Sequence, residues 1–252
     1  MDTMIEMLSY GMLVSGIIVF LILTFGFEAP YGRYFQKSHP SIPLISAKWA
    51  WFIQEIPSFC IPLHYLITGF IDLPLINTFI LILFILHYIN RALIYPFLIK
   101  GDTKTPVHIL LLSLLFCTVN GYMQGIWHSH NAVYNRSLKD IVFCFVGTLI
   151  FLSGMMINIT SDSILRNLRK DGESGYKIPY GGLFKYISGA NFFGECVEWT
   201  GYALLAQTLP AFAFAFFTLC NLAPRAYHHH RWYQEKFDNY PKDRKAFIPF
   251  VI

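Results

Sequence analysis

Charged side chains are scarce in this sequence. Only 13% of its 252 residues are Asp, Glu, Lys or Arg, against ~25% in a typical soluble domain. So few charges cannot cover a soluble surface, and a net charge of +4 is too small to point to nucleic acid. Cysteine is sparse as well. Cys60, Cys117, Cys144, Cys196 and Cys220 stand singly in apolar runs with no Cys-x-x-Cys. That spacing excludes a thiolate metal site and a disulfide framework, so these residues read as small buried hydrophobes. Gly-x-Ser-x-Gly, the P-loop and Gly-x-Gly-x-x-Gly are all missing, which leaves a Rossmann domain unsupported. There are no internal repeats. No basic segment precedes the apolar run 7–27, so a cleavable signal peptide is not expected.

What is present is apolar: 55% hydrophobic residues, 17% aromatic, mean hydropathy +0.46. Runs of about 20 apolar residues can cross a bilayer. Seven such spans fall near 7–27, 49–71, 73–98, 106–127, 141–159, 189–208 and 209–227. The chain is therefore expected to be an all-α polytopic membrane protein with a single seven-helix domain. With the N-terminus outside, sixteen of the nineteen Lys and Arg lie in inward segments and only Arg136 and Lys139 in outward ones. That bias predicts N-out, C-in. A large polar cofactor would then enter from the cytoplasmic face. The polar connection 160–188 holds five basic residues and several glycines, and a connection of that length is usually functional.

Glu55 lies inside the apolar run from Trp49 to Ile67, beside Gln54. A carboxyl group in hydrocarbon is costly, so it should face a protein-lined chamber. Other spans carry polar residues at helical spacing. Tyr88, Arg91 and Tyr95 share one face, followed by Asn120 with Gln124. Then come Asn158, Asp162 and Arg166; Asn191, Glu195, Glu198 and Tyr202; and Arg225, His229 and Tyr233. A single stripe could be interhelical hydrogen-bonding glue, but five together describe a polar chamber. The triplet His228-His229-His230 cannot converge on one metal ion, because successive helical residues point 100° apart. One inward residue, His229, is the better reading, and no metal is expected. A protonated Glu and a Tyr could polarise a carbonyl, while Arg169, Lys170, Lys177, Arg225 and Arg231 could hold phosphates.

These residues resemble the steroid 5-alpha-reductase family, in its steroid-reducing branch. The resemblance rests on Gln54-Glu55-Ile56-Pro57-Ser58-Phe59, on His87-Tyr88 with Arg91, and on the stretch Asn158 to Lys170. Ile178-Pro179-Tyr180-Gly181-Gly182-Leu183-Phe184, Asn191 through Glu195 with Glu198-Trp199, Arg225 through Arg231, and the ending Tyr240 to Pro249 complete it. It implies a seven-helix enzyme that uses NADPH to reduce the 4,5-double bond of a 3-oxo-4-ene steroid. On that implication Glu55 and Tyr88 grip the 3-oxo group and are catalytic, and Trp51 is a wall of the steroid pocket. Asn158, Asp162, Arg169, Tyr176, Asn191, Glu195, Arg225, His229, Tyr233 and Arg244 bind the cofactor. Tyr31-Gly32-Arg33 resembles a loop that closes over it. The steroid would lie among spans one to four and NADPH among spans five to seven. The residues name no donor for the proton at carbon 4, and no protein partner is implied. The membrane would be the endoplasmic reticulum in a eukaryote or the inner membrane in a bacterium. A reductase of another enone lipid, a membrane methyltransferase using S-adenosylmethionine, and a non-catalytic lipid-binding or channel protein remain as alternatives.

Overall fold

The computed structural model describes residues 2–26, 42–69, 72–101, 103–134, 137–168 and 175–252. Arg169, Lys170, the Tyr31-Gly32-Arg33 segment and Arg136 lie outside these residues. The described chain is a helical bundle. Its helices are α1 (Asp2–Phe25), α2 (Ala47–Gly69), α3 (Leu75–Leu98), α4 (Val107–Asn131), α5 (Leu138–Arg166), α6 (Ala190–Ala206) and α7 (Leu209–Lys236).

Five of these helices, α1, α3, α4, α5 and α7, are long and apolar enough to cross a membrane. Their outward faces are apolar. On α5, Ile141, Phe145, Leu149, Leu152 and Met156 are all exposed, a stripe at helical spacing that suits lipid rather than water. The other two helices depart from the pattern for physical reasons. α2 carries Gln54, Glu55 and Ser58 along its buried side together with Pro57 and Pro62, and α6 has only 17 residues, about 25 Å of rise. The interior mixes polar and apolar side chains. Asn120, Gln124, His128 and Glu198 are fully buried, as are Trp199, Tyr202, Phe84 and Phe151.

Two helix pairs are locked by close backbone approach. A Cβ on Gly154 of α5 would stand 2.2 Å from the Glu198 backbone nitrogen of α6. Only glycine allows that contact, and small residues at helix interfaces are how membrane helices pack closely. A Cβ on Gly121 of α4 would likewise stand 2.9 Å from the Ser58 Cα of α2. A short antiparallel ribbon, β1 (Leu44–Ser46) with β2 (Lys104–Pro106), pairs Ile45 with Thr105 and starts α2 and α4 side by side.

Local signals set the helix ends. Ser137 and Asp140 form a reciprocal capping box at the start of α5. α5 continues past the apolar run that ends near residue 159 and reaches Arg166, because Asn158, Asp162 and Arg166 keep a four-residue spacing. α6 stops at Gln207, which is left-handed (φ 49°), and the Thr208 side chain caps α7 two residues later. α3 widens into a π-helical stretch at Ile89–Ile94 just before Pro96. Proline lacks the N–H that Ala92 would need, and the wider turn accommodates it. After α7 the chain returns to the segment ahead of α6, where Ser188 N donates to Lys245 O and Gly189 N to Ala246 O.

Candidate active site

The buried polar faces of α2 to α7 enclose a cavity of about 280 Å³, near the ~300 Å³ lower end of small-molecule pockets. Trp51, Glu55, Tyr88, Asp162, Asn191, Glu195 and Arg225 all line it. Seven of the residues singled out in the sequence, drawn from five helices, therefore share one chamber. α1 packs along α7 and supplies no side chain to this cavity.

Glu55 is 9% exposed and Tyr88 3%. Glu55 Oε1 accepts from Gln54 Nε2 at 3.1 Å, and the Cys117 thiol donates to Glu55 Oε2 at 3.4 Å. A carboxyl group and a phenol thus line the same cavity. Cys117 had no signal in the sequence to set it apart from the other cysteines. Only the packing of α4 on α2 brings it to the carboxyl group.

Arg91 is the hub of the opposite wall. Its Nη1 donates to Asp162 Oδ2 at 3.0 Å and its Nη2 to Glu195 Oε2 at 2.8 Å. The guanidinium carbon sits 4.9 Å from the ring centroids of both Trp51 and Tyr95, which meet each other edge-on at 5.2 Å, so both rings make cation–π contact with it. Trp51, expected as a steroid wall, therefore also covers this cation. Asn158 lies behind the chamber, donating to Asn191 O at 3.0 Å and to Glu195 Oε2 at 3.4 Å, while Asn191 Nδ2 donates to Asp162 Oδ1 at 3.1 Å. The spacing placed Arg91 on the right face but left its role open. Its two carboxylate partners lie 71 and 104 residues away in the chain.

Tyr176, His229, Tyr233 and Arg244 do not line this cavity. They gather beyond it, around the last turns of α7. Phe192 links the two groups, with the Arg225 guanidinium 4.8 Å from its ring and the His229 ring at 5.2 Å. Tyr176 packs on Trp232, and Tyr233 stacks on Tyr240 with centroids 5.5 Å apart. The three consecutive histidines diverge. His229 meets Phe192, His230 Nδ1 is 2.7 Å from Ser188 Oγ, and His228 borders an apolar groove beside α1.

Arg244 is 3% exposed and lies over Tyr180 and Tyr240 at 5.3 and 5.1 Å. Among the described residues its Nε and Nη1 have no hydrogen-bond partner. A buried guanidinium with idle donors calls for an anion, and a nucleotide phosphate fits that demand. Burial holds the neighbouring Tyr240 phenol above its ordinary range, so it stays a neutral donor.

The sequence profile described as 3-oxo-5-alpha-steroid 4-dehydrogenase matches residues 103–252. The chain is 45% identical over 254 residues to 3-oxo-5-alpha-steroid 4-dehydrogenase 1 of Bos taurus, covering 99% of this chain and 97% of the relative. It is 49% identical over 228 residues to the protein of the same name from Rattus norvegicus, covering 89% and 86%. To 3-oxo-5-alpha-steroid 4-dehydrogenase 2 of Homo sapiens it is 46% identical over 225 residues, covering 88% and 87%. The chain belongs to the 3-oxo-5-alpha-steroid 4-dehydrogenase family.

Proposed function

We propose that this membrane enzyme reduces the 4,5-double bond of a 3-oxo-4-ene steroid, with NADPH as the reductant. Family membership at 45–49% identity supports the reaction class. The observation that carries the assignment of roles is the pairing of buried Glu55 and Tyr88 in one enclosed cavity. Both hydrogen-bond the 3-oxo oxygen. Negative charge grows there only as the double bond is reduced, so these contacts strengthen in the transition state and raise the rate. Trp51 and the aromatic residues Phe116, Phe214 and Phe217 bound the apolar side of the same cavity.

NADPH, when bound, supplies the hydride for carbon 5. Asn158, Asp162, Asn191 and Glu195 form the wall available to its polar ring. Arg225, His229, Tyr233, Tyr176 and Arg244 hold the rest of the dinucleotide, with Arg244 on a phosphate. Arg169 belongs to this group by its motif. All seven helices cross the membrane as one domain. The N-terminus faces outward, and the basic connections together with the end of α7 face the cytoplasm. In a eukaryotic cell that membrane is the endoplasmic reticulum.

The test is NADPH oxidation by the purified, detergent-solubilised protein with and without testosterone or progesterone, with the product identified by mass. Steroid-dependent oxidation and a product two mass units (~2 Da) heavier support the reading. NADPH binding without steroid reduction moves the substrate to another enone lipid. Binding of S-adenosylmethionine in place of NADPH overturns the reductase.

A further inference from the structure

His87 and Glu198 form a buried pair that the ketone-gripping groups do not use. Glu198 is fully buried, and its Oε1 lies 2.8 Å from His87 Nδ1. Among the described residues its Oε2 has no hydrogen-bond partner. The pair is held from behind, because Gly154 of α5 lets the Glu198 backbone approach closely and the Trp199 ring lies 4.5 Å from the imidazole. His87 nevertheless lines the cavity beside Tyr88, with ring centroids 4.9 Å apart. A carboxylate with one idle oxygen, beneath an imidazole on a cavity wall, is a costly way to join two helices. A carboxylate that fixes a histidine tautomer so that the other ring nitrogen can exchange a proton is a recurrent catalytic device.

The chemistry needs such a group. Reducing an enone takes a proton at carbon 4 as well as a hydride at carbon 5. Carbon 4 is bonded to carbon 3, whose oxygen Glu55 and Tyr88 hold, so the donor must stand next to that pair. Tyr95 belongs to the Arg91 wall and the Ser113 and Thr218 hydroxyls are far weaker acids than an imidazolium, so the remaining candidates are the ionisable groups, and these are engaged elsewhere. The Cys117 thiol is turned to Glu55, Asp162 and Glu195 are tied to Arg91, and Arg91 and Arg225 do not release protons. His87 is the neighbour of Tyr88 in the chain and, among the described residues, the single imidazole in the lining.

We propose that His87, oriented by Glu198, delivers the proton to carbon 4. The inference rests on the reductase function proposed above. The hydride from the nicotinamide reductant brings two electrons to carbon 5, and the double-bond pair moves toward the 3-oxo oxygen, leaving an enolate. The carbon 3–carbon 4 pair of that enolate then takes the proton from Nε2 of the His87 ring, which enters the step as the imidazolium with its Nδ1–H held by Glu198. The Nε2–H bond breaks with its electrons left on nitrogen, the C4–H bond forms and the 3-oxo group is restored. Water returns the proton to the neutral imidazole. Glu198 acts through His87 and is a positioning residue.

The reverse proton transfer can be read without any hydride transfer. A saturated 5-alpha-3-oxosteroid is incubated with enzyme and NADP+ in D₂O, and deuterium at carbons 2 and 4 is followed by NMR. Wild-type exchange confined to carbon 4 is expected. His87→Gln should slow it by about 10²–10⁴-fold, with NADPH affinity and thermal melting close to wild type, and Glu198→Gln should slow it less. In the forward reaction His87→Gln should shrink the isotope effect of deuterated NADPH and enlarge that of D₂O, a shift that a purely structural role would not produce. Wild-type exchange that is equal at carbons 2 and 4, or unaffected exchange in His87→Gln, overturns the assignment. If His87→Gln does not fold, Glu198→Gln, which leaves the imidazole in place, carries the same measurement: slowed carbon 4 exchange supports the assignment and unaffected exchange overturns it. Failure of the wild-type protein to reduce any enone overturns the proposed function instead.

Discussion

Arg91 Nη2 lies 2.8 Å from Glu195 Oε2 and joins α3 to α6 across 104 residues of chain. The same guanidinium holds Asp162 of α5. Three helices therefore meet on one planar fork, and the fork geometry is specific to arginine. Asp162 is buried with it and Glu195 half-buried, at 6% and 16% side-chain exposure. Removing the cation leaves two like charges facing each other, so Arg91→Met should destabilise the protein by about 3–5 kcal/mol. Arg91→Lys should recover part of that and still lose activity, since one ammonium cannot serve both carboxylates in the same plane. Thermal unfolding in detergent, read beside turnover, checks both. Equal melting temperatures for all three proteins would show that the network does not hold the bundle.

Glu55 and Tyr88 stand on the other wall, and their proposed roles separate rate from cofactor binding. Glu55→Gln keeps the shape and the Gln54 contact but cannot hold or share a proton in the same way. Tyr88→Phe keeps the ring and deletes the donor. Each should lower turnover by about 10²–10³-fold, with NADPH affinity changed by less than about threefold. Steady-state kinetics and a fluorescence titration with NADPH measure the two quantities. A parallel fall in both would remove these residues from the ketone site.

The approach of α5 to α6 depends on Gly154, and that dependence is steric. A methyl group there would meet the Glu198 backbone at 2.2 Å, and no side-chain rotation relieves a backbone contact. Gly154→Ala should cost about 1–3 kcal/mol and disturb the Glu198–His87 pair, which depends on that backbone. Gly11→Ala in α1 is the control, because nothing lies within 4 Å of the added carbon. It should stabilise slightly through helix propensity. Melting temperatures of the two variants should move in opposite directions.

Much of this organisation was legible in the sequence because it is periodic. Apolar runs of bilayer length located the helices, and polar residues at four- and three-residue steps picked out the inward faces. The same periodicity marked Asn158, Asp162 and Arg166 as one helical face while the hydropathy ended near residue 159, and the helix follows the periodicity. What stayed hidden is pairwise. Nothing in the spacing couples His87 to Glu198 or Cys117 to Glu55, since those contacts arise only when glycine-mediated approach fixes how one helix is rotated against the next. The two-layered arrangement of the proposed cofactor residues was hidden for the same reason. Arg225 and Tyr233 are eight residues apart on one helix, yet only Arg225 reaches the chamber, and the return of the C-terminal segment sets Tyr233 against Tyr240.

That returning segment carries the last prediction. Arg244 is anchored by the backbone pairing of Lys245 with Tyr186 and Ser188, and it lies over the rings of Tyr180 and Tyr240 with two donors idle. The protein has already placed a cation in a nearly closed site, so an arriving phosphate meets donors that need no reorganisation. Arg244→Ala should weaken NADPH binding by at least about tenfold, the scale of a charge-assisted hydrogen bond. Arg244→Lys should recover less than half of the lost binding energy, because a point charge cannot present the same pair of donors. If the contact is to the 2′-phosphate, binding of NADH, which lacks that group, should be unchanged by either variant. A loss shared equally by NADH and NADPH would move Arg244 to the pyrophosphate, and unchanged binding of both would leave its idle donors without a nucleotide role.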